Sequence, residues 1–291
     1  MKKNTKNILI LVTLIIFLLL SLFNSNYLIK NILDYSLLFL TKLFPVSFIF
    51  FIISKLLIDY GLLELVYKIF KINSSKLYIL LLSMISGFPS GSKYTKELLD
   101  NNYISIKDAN HIIMYSHFPN PLFVLGSVNL ILNDYNLALK ILISIITSNI
   151  IIFIFNYKST NSFPHNENNN SFSNNLSIAI NDSFNILINI YGISLFFYLL
   201  ITVISKYLTI NSYQYIILNG IFDLTKGVFS TSIISNNIIK AYFILIFISF
   251  GSISIHMQVA NIIMNTNIRY KYFIIGRIIS TLIALTIFKL L

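Results

Sequence analysis

The sequence predicts an all-α polytopic membrane protein, an inverted repeat with about seven full spans, two re-entrant helical hairpins and two broken helices. Three observations carry that prediction. Of 291 residues, 56% are hydrophobic and only 11% charged. Soluble domains are roughly a quarter charged, so most of this surface must face lipid. Long apolar runs recur along the chain, and two shorter ones stop at Gly-containing polar clusters before they could cross a bilayer. The same order of elements then occurs twice.

This composition excludes cytosolic enzymes and secreted modules. The net charge of +11 comes from 21 basic against 10 acidic residues, and only Arg269 and Arg277 are arginines. The lysines are scattered between apolar runs, as flanks of membrane helices are, so the bilayer rather than nucleic acid is the expected partner. With no Cys there is no disulfide, thiolate nucleophile or Cys-held metal. No GxSxG, HExxH or Walker loop occurs, so the chain is not read as an enzyme.

Lys2, Lys3 and Lys6 precede an apolar run from Ile8 to Phe23 with no small-x-small cleavage pattern after it, so residues 1–30 are expected to hold an uncleaved extra span. The run from Tyr35 to Ile58 contains Phe44-Pro45, a site for a kink. Gly61 to Lys71 reads as an amphipathic interfacial helix. Leu77 to Ile85 covers only about 13 Å of a hydrocarbon core of about 30 Å. It ends at Gly87-Phe88-Pro89-Ser90-Gly91-Ser92-Lys93, and polar residues follow, which is the pattern of a re-entrant hairpin. Ala109 to Leu132 is a span broken at His117-Phe118-Pro119-Asn120-Pro121, and Leu137 to Tyr157 is a plain one.

A polar cytoplasmic loop, 158–181, separates this first half, 31–157, from a second, 182–291. There Phe184 to Ile204 is a span. Tyr213 to Asn219 is again too short to cross and runs into Gly220-Ile221-Phe222-Asp223-Leu224-Thr225-Lys226-Gly227. Ile238 to Met264 is interrupted from Ser249 to Ser254, and Tyr272 to Leu290 closes the chain. An offset of 133 pairs Gly87 with Gly220, Lys93 with Lys226 and Ser116 with Ser249. Each half crosses an odd number of times, so the halves should be oppositely oriented. The Lys bias places the N-terminus in the cytoplasm.

Six of the nine glycines, Gly87, Gly91, Gly126, Gly220, Gly227 and Gly251, lie in or beside the interrupted segments. Breaks expose backbone N–H and C=O groups, so four of them converging would build a polar site inside the bilayer. Lys93 is the sharpest candidate, because an ammonium at that depth needs a partner, an anionic solute or a route to water. Lys226 is similar. Asp223 either binds a coupling H⁺ or Na⁺ or pairs with Lys226. His256 with Gln258, and His117, flank the two broken spans. Ser90, Ser92, Asn120, Thr225, Ser252 and Ser254 can hold a solute or serve as helix–helix contacts. Gly87, Pro89, Gly91, Pro121 and Gly220 shape the breaks. Arg277 faces either a cavity or a carbonyl.

Ser86 to Lys93, Asn120-Pro121-Leu122-Phe123, Gly220 to Gly227 and Ser254-Ile255-His256-Met257-Gln258 together resemble the sporulation integral membrane protein family of Firmicutes. That family belongs to the nucleoside-recognition, or Gate, domain group, similar in plan to the core of concentrative nucleoside transporters. Asp223 stands where the resemblance leads one to expect Glu, and Lys226 is not a basic position of the family. The resemblance makes the halves Gate-like and implies a secondary transporter acting in the mother-cell membrane around the forespore during endospore formation. Two cationic hairpin tips suit a small anionic solute, and the sporulation context points to dipicolinate. A nucleoside or nucleobase carrier and a non-transporting scaffold for spore cortex assembly are the alternatives. No cofactor or metal is expected beyond the coupling ion, and a homo-oligomer stays open.

Overall fold

The structure, a computed structural model, describes residues 2–62, 65, 68, 74–157 and 171–291. Every regular element among the described residues is helical. Helix α1 (Lys2–Phe23) presents apolar side chains such as Leu9, Ile16 and Leu22 outward, as a lipid-facing helix does. At Asn24 the chain bends by 97° and helix resumes at once. The Asn24 side chain explains the bend: its amide donates to Leu20 O and Tyr207 Oη, both at 2.7 Å, and its oxygen accepts from Lys206.

Next come α2 (Ser25–Leu38), a π turn (Phe39–Leu43) and α3 (Phe44–Asp59), a single helical rod over 25–59. Pro45 lacks an N–H and crowds the carbonyl four residues earlier, and the π turn just before it absorbs that misfit within the rod. The interfacial helix expected from Gly61 to Lys71 lies largely outside the described residues. Helices α4 (Ser75–Ser86) and α5 (Ser90–Asp100) form the first hairpin. Helix α6 (Ile106–Tyr115) ends at an irregular stretch, after which a π turn (Phe123–Val128) and α7 (Asn129–Leu132) continue to α8 (Tyr135–Asn156).

The second half begins with α9 (Phe172–Lys206), whose 35 residues match the 25–59 rod in length. The polar loop expected over 158–181 is therefore corrected at its far end, since residues 172–181 are helical. The Ser171 hydroxyl accepts from Asn174 N–H at 3.4 Å, and with that cap in place a long apolar helix propagates outward through Asn and Ser. Helix α10 (Ser212–Phe222) starts on a reciprocal cap between Asn211 and Gln214. It is followed by α11 (Leu224–Ser230), a 3₁₀ turn (Thr231–Ile233), α12 (Asn237–Phe250), α13 (Ile253–Ile263) and α14 (Tyr270–Leu290).

Among the described residues, four segments are long and apolar enough to cross a membrane: Tyr135–Asn156, Phe172–Lys206, Asn237–Ile263 and Tyr270–Leu290. The bent pair around Asn24 makes up to five. The chain is an integral membrane protein. Of the other expected crossings, Ala109 to Leu132 is divided into pieces too short to cross singly, and Tyr35 to Ile58 lies in the jointed 25–59 rod.

The core lies between the halves. Helices α8 and α14 meet through a Ser148–Ser280 hydroxyl bond of 2.8 Å, and Ile141, Ile145, Ile244 and Ile248 are fully buried around them. Gly276 lets α14 press directly onto the Met114 carbonyl of α6. On the other side α9 packs along the 25–59 rod through Tyr35, Phe39, Tyr191 and Tyr198.

Candidate functional site

Each half has two chain breaks, and a hydrogen bond ties them together. In the first half Gly87 ends α4 with φ 74°, a left-handed conformation that only Gly adopts without strain, and an added Cβ would lie 2.8 Å from Asn120 N. The next residue, Phe88, donates its N–H to Phe118 O at 2.7 Å, joining the hairpin tip to the break after α6. In the second half Ser252 Oγ donates to Gly220 O at 2.5 Å, joining the break between α12 and α13 to the second hairpin. Gly220 itself stays helical. Its missing side chain makes room for the Phe247 ring, the missing side chain of Gly227 lets that residue approach the Gly220 backbone, and the chain leaves helical geometry at Asp223.

One cavity of about 50 Å³ is lined by residues of both hairpins and both broken spans, among them Phe88, Asn120, Leu224, Thr225, Ile255 and Ser194. Buried polar atoms normally find partners. Here Asn120 Nδ2, Ser254 Oγ, both amide atoms of Gln258, His117 Nε2 and Asp223 Oδ2 have none. Helix α13 also starts at a break without a side-chain cap, so its first N–H groups point partial positive charge into this region.

Toward one face the site widens. A pocket of about 110 Å³ bordered by Pro89, Ser90, Lys93, Asn189, Gln258 and Asn261 adjoins a vestibule of about 420 Å³ that also contains Lys55, Lys96, Glu97, Asp100 and Asp182. Lys93 borders both. Its ammonium sits 3.3 Å from Asp182 Oδ2 of α9, with both side chains 40% exposed. The cation is therefore neither bare nor deep; a carboxylate already answers it.

Asp223 has no exposed surface. Its Oδ1 accepts from Lys226 N–H at 2.8 Å and from Tyr35 Oη at 3.1 Å. The pairing of Asp223 with Lys226 thus runs through the backbone as a helix cap, while the ammonium lies 5.2 Å from the Tyr198 ring centroid, facing away from the cavity. His256 is fully engaged, its Nδ1 2.6 Å from Tyr270 Oη and its Nε2 3.2 Å from Phe250 O. Gly91 and Ser92 pack inside α5, where Gly91 permits contact with Ser116 O, and Pro121 follows the Asn120 cap of the next helical segment. The structure gathers Pro89, Ser90, Asn120, Thr225, Ser254 and Gln258 around the connected cavities and leaves Lys226 and His256 at the edge.

Arg277 resolves toward carbonyls. Fully buried on α14, it donates to Met114 O at 2.7 Å, His117 O at 3.4 Å, Ser249 O at 3.2 Å and Asn149 Oδ1 at 2.9 Å. One guanidinium thereby joins the carboxyl ends of both broken spans, where partial negative charge collects. Tyr35, Ser194, Asp182 and Asn149 escape the sequence reading. Asp182 directly follows an Asn- and Ser-rich stretch that reads as loop, and Tyr35 is one of 18 tyrosines, so neither had a signal.

No family model matches the chain, and no solved structure matches it. A curated protein does. The chain is similar to sporulation integral membrane protein YlbJ of Bacillus subtilis (strain 168), with 34% identity over 93 residues. The match covers 29% of this chain and 23% of that protein, so the chain spans under a quarter of this relative's length. The likeness supports a membrane role in sporulation.

Proposed function

We propose that the chain is a secondary transporter for a small anionic solute, working across the mother-cell membrane around the forespore, with its N-terminus in the cytoplasm. Its architecture on this reading is two Gate-like inverted halves joined by a polar loop, with the vestibule as the entrance and the four-break cavity as its inner end. The observation that carries the proposal is the cluster of unpartnered polar atoms where the four breaks meet, on the same path as Lys93. An anion entering the vestibule replaces Asp182 as the partner of Lys93, and the uncapped N–H groups of α13 receive its far end. Dipicolinate, with two carboxylates on a rigid ring, has the shape for both contacts.

A nucleoside or nucleobase is the second reading, and the amides of Asn120 and Gln258 favour it, since paired donors and acceptors suit a heterocycle edge. A scaffold without transport activity would bind neither. Uptake of labelled pyridine-2,6-dicarboxylate and of uridine into vesicles containing the purified full chain separates the three. Dicarboxylate uptake that falls in Lys93→Gln supports the anion reading, uridine uptake alone supports the second, and no uptake of either removes transport of both probes.

A further inference from the structure

We infer that Asp223 Oδ2 is a proton-binding site whose loading couples solute movement to a proton gradient. The inference deepens the transport reading and rests on it. Asp223 sits in the second hairpin, between α10 and α11, with no exposed surface. Two donors hold Oδ1; Oδ2 has no partner at close hydrogen-bond distance, and the Ser194 and Ser254 hydroxyls are further polar groups that act on the carboxylate. An ionised carboxylate with a bare oxygen in a membrane interior carries a desolvation penalty that pairing or neutralisation must offset.

Neither a cation nor a metal is placed to do so. The titratable and charged groups around the hairpin are Tyr35 and Asp34 from α2, Tyr198 from α9, Tyr215 from α10 and Lys226 on its own helix. Helices α12 and α13 present Phe247 and Ser254, which do not titrate. Among the described residues the ion pairs are Lys55–Asp59, Lys76–Asp108 and Lys93–Asp182, so none involves Asp223. Groupings of three or more His, Asp or Glu that could hold a metal ion are absent among the described residues.

A proton fits. It arrives from water in the adjoining cavity of about 50 Å³, beside Ser194 and Thr225, which is room for a few water molecules. One O–H bond forms at Oδ2, Tyr35 and the Lys226 N–H stay on Oδ1, and the new hydroxyl faces Ser254 Oγ, itself unpartnered, and Ser194. Release to water on the other side restores the carboxylate. Because α11 starts on Asp223 and the hairpin is tied through Gly220 to α13, charge at this one atom acts on the break that borders the solute.

The test uses the full chain in vesicles with pyridine-2,6-dicarboxylate and uridine as probes, and infrared difference spectra of the protein alone. With one proton per cycle and the membrane potential clamped at zero, a one-unit pH difference should hold about a tenfold gradient of the transported probe. Asp223→Asn should lose gradient-driven accumulation, and any remaining exchange should no longer vary with pH. The carbonyl stretch of a protonated carboxyl should titrate in the parent, vanish in Asp223→Asn and shift in Asp223→Glu. Accumulation driven by pH in Asp223→Asn, accumulation driven by a sodium gradient in the parent, or a titrating band unmoved by Asp223→Glu overturns the assignment. If the parent moves neither probe, the transport reading fails for them, while the infrared titration still judges Asp223.

Discussion

The two hairpins are the same device built in opposite electrostatic settings. The first, α4 with α5, carries Lys93 into a wide vestibule, 40% exposed and matched by Asp182. The second, α10 with α11, carries Asp223 with no exposure and one bare oxygen. The first hairpin therefore faces an open aqueous approach, and the second closes the far side of the same cavity. A charge near water can exchange partners with a passing solute, whereas a charge sealed from water changes state only by binding or losing a proton. On the transport reading proposed above, the difference assigns the solute to the first tip and the driving ion to the second.

The largest effect should come from the glycines, which are required for different reasons. Gly87→Ala places a side chain at positive φ, which costs about 1–3 kcal/mol, and drives it against the backbone of Asn120. Gly220→Ala meets a side chain, the Phe247 ring. Thermal unfolding of the purified variants should show Phe247→Ala recovering much of the stability lost by Gly220→Ala, and no side-chain truncation around Asn120 recovering Gly87→Ala. Recovery in both hairpins, or in neither, breaks the distinction.

Both glycines were legible because a Gly that ends a run too short to cross is an anomaly in an apolar chain. Pairing Gly87 with Gly220 was less informative, since the second break falls at Asp223, where an extended residue and a carboxylate cap do the work. The partner of Lys93 was not legible. Asp182 lies 89 positions away and meets Lys93 only because α9 packs beside the first hairpin. The helical start of α9 was hidden by Asn and Ser, which read as loop until a cap and a long apolar helix outweigh them.

A smaller effect on stability, with a larger one on selectivity, is expected at the vestibule. As an exposed pair, Lys93–Asp182 should contribute about 0–1 kcal/mol, so Lys93→Gln and Asp182→Asn should leave unfolding temperatures nearly unchanged. They should act oppositely on pyridine-2,6-dicarboxylate: binding falls in Lys93→Gln and rises in Asp182→Asn, which frees the ammonium. Ligand-induced thermal stabilisation reads both. Equal losses in the two variants would make the pair a structural strut.

The smallest effect concerns the base of the first hairpin, where Lys76 Nζ lies 2.7 Å from Asp108 Oδ1. Burial raises the Asp108 carboxyl, but bonds from Lys76 and Ser105 outweigh it and hold it below its ordinary value. A depressed carboxyl adds stability above its unfolded value of 3.8 and loses it as pH falls through the lower folded value. Parent and Asp108→Asn should therefore differ in unfolding temperature at neutral pH and converge below about pH 4. A difference that persists in acid would assign the effect to packing rather than charge.

The central claim is that the two hairpins enter from opposite sides. The chain has no Cys, so single-cysteine variants at Asn101, after the first hairpin, and Asn236, after the second, report sidedness without background. Membrane-impermeant thiol labelling of intact cells and of inverted vesicles should label Asn101→Cys only from the cytoplasmic side and Asn236→Cys only from the other. Labelling of both from one side would contradict the inverted repeat, and with it the division of roles between Lys93 and Asp223.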